Sequence, residues 1–346
     1  MKAMVLDGVK QMKLVELPDP EPGPDEVIVK VAYCGVCMTD VHMYFGEFPV
    51  KTPVVLGHEC SGIISKVGKE VTRVSIGDHI ALNPIIHCGV CEYCLGGRTN
   101  LCENGLVVGG AGERIINGAY AEYVKVPERN VIKYDKHVPL KYSSLTEPLA
   151  CVIHGIRLTG IEIGNSVVII GAGPIGLLFT QLLAISGSSR IIVLDLKNER
   201  LKVAEKMGAS HVINPKETND VAKDIKESLD GSLADVVIEA VGSIATVKEA
   251  FRYVKKGGKI LIFGVPPKGA LTTFSPFDVY FTELKVIGAY AFATEDFKKS
   301  VAMISSNRVN LDPLITEIYP LEQLEKAFES AKRGDGLKKL ISVSGD

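Results

Sequence analysis

Val167-Val-Ile-Ile-Gly171-Ala-Gly173-Pro-Ile-Gly176 places a short apolar, β-branched strand directly before a GxGxxG motif. An apolar, helix-like run continues to Ser186, and the next apolar strand ends on Asp195, 19 residues after Gly176. This spacing is typical of a dinucleotide-binding βαβ unit, whereas a lone GxGxxG would equally fit a chance glycine turn. The stretch therefore predicts a cofactor site formed by Gly171, Gly173, Pro174, Ile175, Gly176 and Asp195.

The pattern of predicted elements divides the chain into an N-terminal β-rich part and a later α/β part. Up to about residue 145, alternating strands at 26–31, 62–67 and 120–126 lie between Gly, Pro and Asp turns and indicate a barrel-like domain. From residue 167, strands at 190–194, 211–213, 234–239 and 259–263 alternate with helices, one of them near 244–253, which predicts an α/β fold with a doubly wound parallel Rossmann sheet. We expect domains at 1–147 and 148–288, with residues 289–346 returning to the first domain because they are too few for a third.

Composition and charge point to small-molecule chemistry. A net charge of −2 and a pI near 6.4 provide no field that would gather nucleic acid or anionic lipid. The N-terminus acquires charge too early for a signal peptide, and no apolar run reaches the length of a membrane span. We therefore expect a cytoplasmic protein without nucleic-acid or membrane partners. Its eight cysteines indicate metal or catalytic roles rather than disulfides, apart from Cys34, Cys60 and Cys151, which are expected to be packing residues.

Four cysteines follow the pattern CxxCxxCx7C in a stretch rich in Gly, Asn and Arg. Four thiolates at this density fit a closed tetrahedral zinc site that holds together a lobe with little core of its own. An iron–sulfur cluster is an alternative, but no proline follows the last cysteine, and a nucleic-acid-binding zinc ribbon conflicts with the acidic charge balance. The predicted structural zinc lobe spans residues 88–102, with ligands Cys88, Cys91, Cys94 and Cys102.

A second set combines sulfur, nitrogen and oxygen donors. Cys37 opens the segment Cys37-Met-Thr39-Asp40-Val-His42, and Gly57-His58-Glu59 follows some twenty residues later. One Cys, one His and nearby carboxylates suit a catalytic zinc with an open position. On spacing alone, His58 is equally well a core histidine and Glu59 a surface charge.

Together these motifs resemble those of the zinc-dependent medium-chain alcohol dehydrogenases over essentially the whole chain. The resemblance rests on the segments from Gly35 to His42 and from Gly57 to Glu59, on the four-cysteine lobe, on Glu147-Pro148-Leu149 and on the GxGxxG motif. It is greatest to the polyol (sorbitol-like), threonine and butanediol dehydrogenases, because Glu147-Pro148 stands where the classical enzymes place a cysteine ligand. The resemblance implies a GroES-like catalytic domain beside the Rossmann domain and two zinc ions per chain.

The resemblance also implies roles for residues around the catalytic zinc. Cys37 and His58 would bind the metal with Glu59 or Glu147, which exchange places in this subgroup as substrate or water enters. Asp40 would hold the His58 ring so that its free nitrogen faces the metal. The hydroxyl of Thr39 would take the alcohol proton and pass it through the cofactor ribose to His42. A turn residue at Thr39 and a surface histidine at His42 are the alternatives.

The cofactor is expected to be NAD. The carboxylate of Asp195 would accept hydrogen bonds from the adenosine ribose and repel a 2′-phosphate. Arg200 is the complication, because an arginine there can pair with a phosphate, although in the family a basic residue also lies along the ribose of NAD. By resemblance, the backbone around Val265 would hold the carboxamide. Tyr290 and Phe292 would line the pocket or pack at an interface.

These expectations predict an NAD- and zinc-dependent enzyme that oxidises a secondary alcohol, with a polyol or vicinal diol favoured by resemblance. An L-threonine 3-dehydrogenase, a simple secondary-alcohol dehydrogenase, a zinc-free quinone reductase and a non-catalytic dinucleotide-binding protein are the alternatives. Glu47 has two interpretations, a ligand for a substrate hydroxyl or amine and a solvated loop charge. The family pairs its last sheet strand, here 284–287, across a two-fold axis, which implies a dimer or tetramer.

Overall fold

The structure is a computed structural model that describes residues 1–112 and 114–345. Its strands are β1 (Lys2–Gly8), β2 (Gln11–Glu16), β3 (Glu26–Gly35), β4 (Val54–Val55), β5 (Glu59–Val67), β6 (His79–Leu82), β7 (Ile85–Ile86), β8 (Leu106–Val108), β9 (Ile115–Ile116), β10 (Tyr123–Pro127), β11 (Val131–Tyr134), β12 (Ser166–Ile170), β13 (Arg190–Leu194), β14 (His211–Ile213), β15 (Ala234–Glu239), β16 (Val254–Ile262), β17 (Lys285–Gly288), β18 (Ile315–Pro320) and β19 (Lys338–Ser342).

The α-helices are α1 (Met38–Tyr44), α2 (Glu92–Leu95), α3 (Leu140–Ser143), α4 (Thr146–Thr159), α5 (Pro174–Ile185), α6 (Asn198–Lys206), α7 (Val221–Ser228), α8 (Ile244–Tyr253), α9 (Pro276–Phe281), α10 (Thr294–Ser305) and α11 (Leu324–Arg333). The chain forms two compact units, one made of Met1–Ala150 with the residues from Phe292 onward, the other of Cys151–Ala291. Within the described residues, no helix is both long and apolar enough to cross a membrane.

The first unit is built on a mostly antiparallel sheet with the strand order β11-β6-β5-β3-β19-β18, to which β10 adds by pairing with β3. Its long central strand β3 is buried along most of its length, and its residues Val29 and Val31 belong to the apolar core of this unit. The C-terminal strand β19 pairs antiparallel with the end of β3, so that Leu340 lies opposite Gly35. The chain thus returns to the N-terminal sheet after the second unit is complete.

Helices α1 and α11 pack together in the first unit. The hydroxyl of Tyr44 donates to the carboxylate of Glu325 at 2.7 Å, and its ring lies 5.5 Å from that of Phe328. Phe328 is fully buried in the same core as the sheet. The last helix ends at Arg333 and is followed by Gly334, whose φ of 72° is the left-handed conformation that glycine adopts without a steric penalty. These contacts place α11 beside the segment that follows β3.

The second unit is a parallel sheet with the strand order β14-β13-β12-β15-β16-β17. In order of appearance this is 3-2-1-4-5-6, the order of a doubly wound Rossmann sheet, and it confirms the predicted fold class. Val167, Val168 and Ile169 of the central strand are fully buried, as expected for a strand covered on both faces. β17 is an edge strand, with Val286 43% exposed.

Candidate active site and metal centres

The four lobe cysteines converge around one point. Cys91 precedes α2 and Cys102 follows a single 3₁₀ turn, so two tight turns direct all four thiols inward. The Sγ atoms lie within 4.8 Å of one another, with Cys88 to Cys94 at 3.9 Å and Cys91 to Cys102 at 4.0 Å. Tetrahedral zinc with bonds of about 2.3 Å requires sulfur separations of about 3.8 Å. The four thiols therefore fit a zinc ion.

The electrostatics of the lobe favour metal binding. Hydrogen bonds from the backbone at Val90 and Cys91 lower the pKa of the Cys88 thiol to about 6, while partial burial and neighbouring thiols raise that of Cys94 to about 12. One ligand is thus a thiolate near neutral pH, and another requires a nearby cation to ionise. Because α2 buries none of its residues, little apolar packing holds the lobe together.

Sheet pairing assembles the second candidate site. Glu59 begins β5 and lies opposite Gly35 at the end of β3, and Cys37 follows two residues later, just before α1. Cys37, His58 and Glu59 each offer a ligand atom, and these atoms lie within 4.8 Å of one another. His58 and Glu59 are buried, whereas Cys37 is half-buried. One thiolate, one imidazole and one carboxylate fit a zinc ion that keeps an open position.

Asp40 fixes the His58 ring. Its Oδ1 lies 3.3 Å from Nδ1 of His58, and its Oδ2 accepts a hydrogen bond of 2.8 Å from the hydroxyl of Tyr120. Burial alone would lower the pKa of His58, but Asp40 and Cys37 raise it well above its usual range. With Nδ1 facing the carboxylate, Nε2 is the nitrogen left to bind a metal. Tyr120 was not predicted to lie at this site.

Lys338 is a functional neighbour that sequence reasoning missed. It lies on β19 and is only 6% exposed, yet its amine forms an ion pair with the carboxylate of Glu59 and donates to the carbonyl of Val36 at 2.9 Å. Burial would lower the pKa of this amine, but Glu59, Cys37 and Glu147 raise it. Gly35 permits the approach, since a Cβ there would collide with the Glu59 carboxylate. No local pattern in the sequence marks the lysines of the Lys338-Lys339 pair as buried.

Glu147 does not belong to the converging set. It lies in the first turn of α4 and is 9% exposed, near enough for its charge to act on Lys338. The structure therefore brings Glu59 to Cys37 and His58 and keeps Glu147 at the periphery of the same cluster. Thr39 and His42 both lie on α1, three residues apart, where side chains share one face of a helix.

The glycine motif lies between β12 and α5 as predicted. Gly173 precedes α5, and Gly176 is required because a Cβ there would overlap the backbone oxygen of Gly171. The carboxylate of Asp195, just beyond β13, accepts from the backbone N–H of Ala172 at 2.8 Å and so anchors the glycine loop. A backbone loop at the N-terminus of a helix can receive a pyrophosphate.

The remaining predicted residues fall in different surroundings. Arg200 lies in the first part of α6. Val265 is 59% exposed in the loop after β16, where its backbone approaches Gly242 after β15. Tyr290 is half-exposed, whereas Phe292 is fully buried and stacks on Phe297 at 5.4 Å. The burial of Phe292 favours a role in packing over a role in lining the pocket.

Comparison with known proteins agrees with this geometry. Residues 23–136 match the family described as "Alcohol dehydrogenase GroES-like domain", and residues 174–306 match "Zinc-binding dehydrogenase". A probable D-xylulose reductase A of Aspergillus clavatus is 36% identical over 98% of this chain and 96% of its own length. The sorbitol dehydrogenase of Bacillus subtilis is 34% identical, over 96% of this chain and 93% of its own.

A solved structure shares the fold. A putative zinc-binding dehydrogenase from Sinorhizobium meliloti, bound to NADP, superposes with a TM-score of 0.93 at 34% identity and covers 99% of each chain. The two family matches span more than half of the chain, and relatives above 30% identity cover nearly all of it. The two thiol-containing clusters and the glycine loop fit two zinc ions and a dinucleotide. The chain therefore belongs to the zinc-dependent medium-chain alcohol dehydrogenases, in the branch that contains the polyol dehydrogenases.

Proposed function

We propose that this enzyme oxidises a secondary alcohol group of a polyol or vicinal diol to a ketone and transfers the hydride to NAD. The observation that carries the proposal is the convergence of Cys37, His58 and Glu59 in a chain of this family. A zinc ion held there would act as a Lewis acid that lowers the pKa of a bound alcohol. The names of the relatives, a D-xylulose reductase and a sorbitol dehydrogenase, support a polyol as substrate.

The chain's own residues orient ligands and move the proton. Asp40 keeps the His58 ring in one orientation, and Lys338 offsets the charge of Glu59. Glu147 is buried close by, and we propose that it takes turns with Glu59 as the carboxylate nearest the metal. Thr39 would accept the alcohol proton and His42, which is partly exposed, would release it to water.

A substrate panel tests the reaction. Purified enzyme would be incubated with NAD and with sorbitol, xylitol, 2,3-butanediol, L-threonine or 2-propanol, with and without a chelator, while NADH absorbance is recorded. We expect the highest kcat/KM with a polyol or diol and loss of activity on chelation. A higher kcat/KM with L-threonine or 2-propanol would show that the preferred substrate is neither a polyol nor a diol. Activity that survives removal of all zinc would contradict the mechanism.

The relay has its own test. We expect Thr39→Val to lower turnover far more than it weakens NAD binding, since the hydroxyl carries a proton and holds no phosphate. Stopped-flow measurement of NADH formation at an unchanged rate would exclude Thr39 from the proton path. Thr146→Val is an unsuitable control because Thr146 is buried and hydrogen-bonded, so Thr72→Val, at an exposed loop position, serves instead.

We propose NAD rather than NADP as the cofactor, although a solved relative holds NADP. Asp195 supports the choice, because a carboxylate at the end of β13 would repel a 2′-phosphate. Its Oδ1 also accepts from the backbone N–H of Lys197 at 2.9 Å, so its position is constrained. Comparing kcat/KM for the two cofactors decides the matter, and a preference for NADP would indicate that Arg200 dominates.

We also propose that the enzyme is a cytoplasmic homo-oligomer, a dimer or tetramer. Strand β17 is a sheet edge, and Phe277, Tyr280 and Phe281 of the preceding helix are more than 60% exposed. An edge strand beside exposed aromatic side chains suits pairing with a second copy. Sedimentation measurements that compare the oligomeric state of the wild type with that of Val286→Lys would test this proposal. A monomeric wild type would contradict it. Cell fractionation tests the location.

A further inference from the structure

We propose that Glu47 is a positioning residue for the proton path: its carboxylate orients the His42 ring, and Lys332 holds that carboxylate in place. The inference rests on the proposed function, because it concerns how the proton leaves the same site. It assigns a role to a residue that sequence reasoning could interpret only as a substrate ligand or a solvated loop charge.

The contact between Glu47 and His42 selects one ring nitrogen. His42 lies in the last turn of α1, and the backbone N–H of Glu47 donates to its carbonyl at 2.8 Å, which folds the following turn back over the helix end. Oε2 of Glu47 then lies 2.5 Å from Nδ1 of His42. A carboxylate only accepts, so Nδ1 carries the hydrogen of this bond. Nε2 is consequently the nitrogen that accepts a proton.

Lys332 fixes the carboxylate from the other side. Its amine forms an ion pair with Oε1 of Glu47 and lies 5.4 Å from the centroid of the Phe45 ring. Hydrogen bonds from Lys332 and His42 lower the pKa of Glu47, which keeps the carboxyl ionised. Glu47 therefore stays an acceptor for His42 and does not itself take up the proton. Both of its oxygens accept hydrogen bonds from protein side chains, Oε1 from Lys332 and Oε2 from His42, which argues against a role as a substrate ligand.

The position of Lys332 is determined by core packing and not by the ion pair itself. Helix α11 is anchored to α1 by the hydrogen bond from Tyr44 to Glu325 and by the buried Phe328. His42 and Glu47 are 31% and 44% exposed, and ion pairs at such exposure stabilise folding little. We therefore expect the triad of His42, Glu47 and Lys332 to affect proton transfer and not the free energy of unfolding.

The proton balance is simple. A proton that reaches Nε2 converts the His42 imidazole into an imidazolium, and the charge of Glu47 on the opposite side of the ring offsets the new positive charge. The same proton then leaves Nε2 for water, which reaches the partly exposed ring, and the imidazole is restored. Glu47 ends the cycle as it began, as an ionised acceptor. The exposure of the His42 ring thus allows the proton to leave for water, and the contact with Glu47 favours protonation of the ring.

The experiment compares Glu47→Ala, Glu47→Gln, Lys332→Met and His42→Ala in the full-length, zinc-loaded enzyme, with Lys326→Met as the matched control on the exposed face of α11. We expect Glu47→Ala to lower kcat about tenfold, part of the roughly 10²–10⁴-fold that a positioned proton-transfer group contributes. KM and the unfolding midpoint should stay unchanged. Glu47→Gln should lose less, since its amide oxygen still accepts from Nδ1–H, and added imidazole should raise the turnover of Glu47→Ala.

A double-mutant cycle separates the positioning role from other effects. If Glu47 acts through His42, Glu47→Ala should cause no further loss in a His42→Ala background. An additive loss, or wild-type turnover of Glu47→Ala beside an impaired His42→Ala, would overturn the role of Glu47 while leaving the relay intact. Wild-type turnover of His42→Ala would instead overturn the relay in the proposed function. The two failures are therefore distinguishable.

Discussion

The two candidate metal sites are constructed in opposite ways. The lobe draws all four thiols from one short segment, residues 88–102, and has almost no apolar core around it. The site of Cys37, His58 and Glu59 takes its ligands from the ends of β3 and β5 and is enclosed by buried Asp40 and Lys338. A local site depends on residue spacing and metal, whereas an assembled site depends on sheet register and on counter-charges supplied by distant strands.

The largest expected effect is a loss of catalysis without a loss of stability, on removal of a ligand from the assembled site. Cys37→Ser should remove one of two zinc ions and lower kcat by about 10³-fold or more, since a Lewis acid contributes several kcal/mol to the transition state. The lobe zinc and the unfolding midpoint should remain. Elemental analysis and steady-state kinetics test this, with Cys151→Ala as a cysteine control outside both clusters. Two zinc ions retained in Cys37→Ser would show that Cys37 is not a ligand.

Cys94→Ser should lower the stability of the fold and leave the catalytic zinc site intact. Without the lobe zinc, the free energy of unfolding should fall by several kcal/mol, a fraction of the roughly 10–16 kcal/mol that zinc contributes to small zinc-binding peptides. The catalytic zinc should stay bound, so one zinc ion per chain remains. Urea unfolding monitored by circular dichroism, together with zinc analysis, measures both. An unchanged midpoint would mean that the lobe is held by something other than metal.

Lys338→Met tests the counter-charge that only the assembled site has. In metal-free protein it should lower the free energy of unfolding by about 3–5 kcal/mol, the usual cost of leaving a buried charge unpaired, here that of Glu59. Zinc should restore most of the loss, since the metal then offsets the carboxylate.

Lys339→Met is the matched control for that substitution. Lys339 is the next residue of β19 and is equally buried, but its amine donates to the carbonyl of Asp335. Its variant should respond to zinc as the wild type does. If Lys338→Met is equally destabilised with and without zinc, Lys338 is a structural ion-pair partner without influence on the metal.

The smallest effect concerns thiol reactivity as a function of pH. After mild removal of zinc, Cys88 should react with iodoacetamide first, at a rate that is maximal above its folded pKa of about 6 and falls as the pH drops through that value. Burial raises the pKa of Cys60 and Cys34, so both should stay unreactive at neutral pH. Mass spectrometry of the alkylated peptides checks the order. Early labelling of Cys60 would contradict it.

Much of the second unit was predictable because its signals are local. The predicted bounds of the strands 190–194, 211–213 and 234–239 and of the helix 244–253 are those observed. Helix α1 was not predicted, since it is only two turns long and its apolar residues face a core supplied by α11. Strand β16 begins at Val254, earlier than expected, because the polar residues Lys255 and Lys256 conceal the start of the strand.

By itself, the sequence determined everything that depends on spacing along the chain: the dinucleotide loop, the acidic residue after β13 and the four-thiol lobe. Tertiary structure alone decided which of two glutamates faces Cys37 and His58, and which lysine neutralises it. It also placed Lys332 against Glu47. The physical reason is that Lys332 and Lys338 lie far along the chain from Glu47 and Glu59. Their side chains come within ion-pairing distance only when α11 and β19 pack onto the sheet of the first unit.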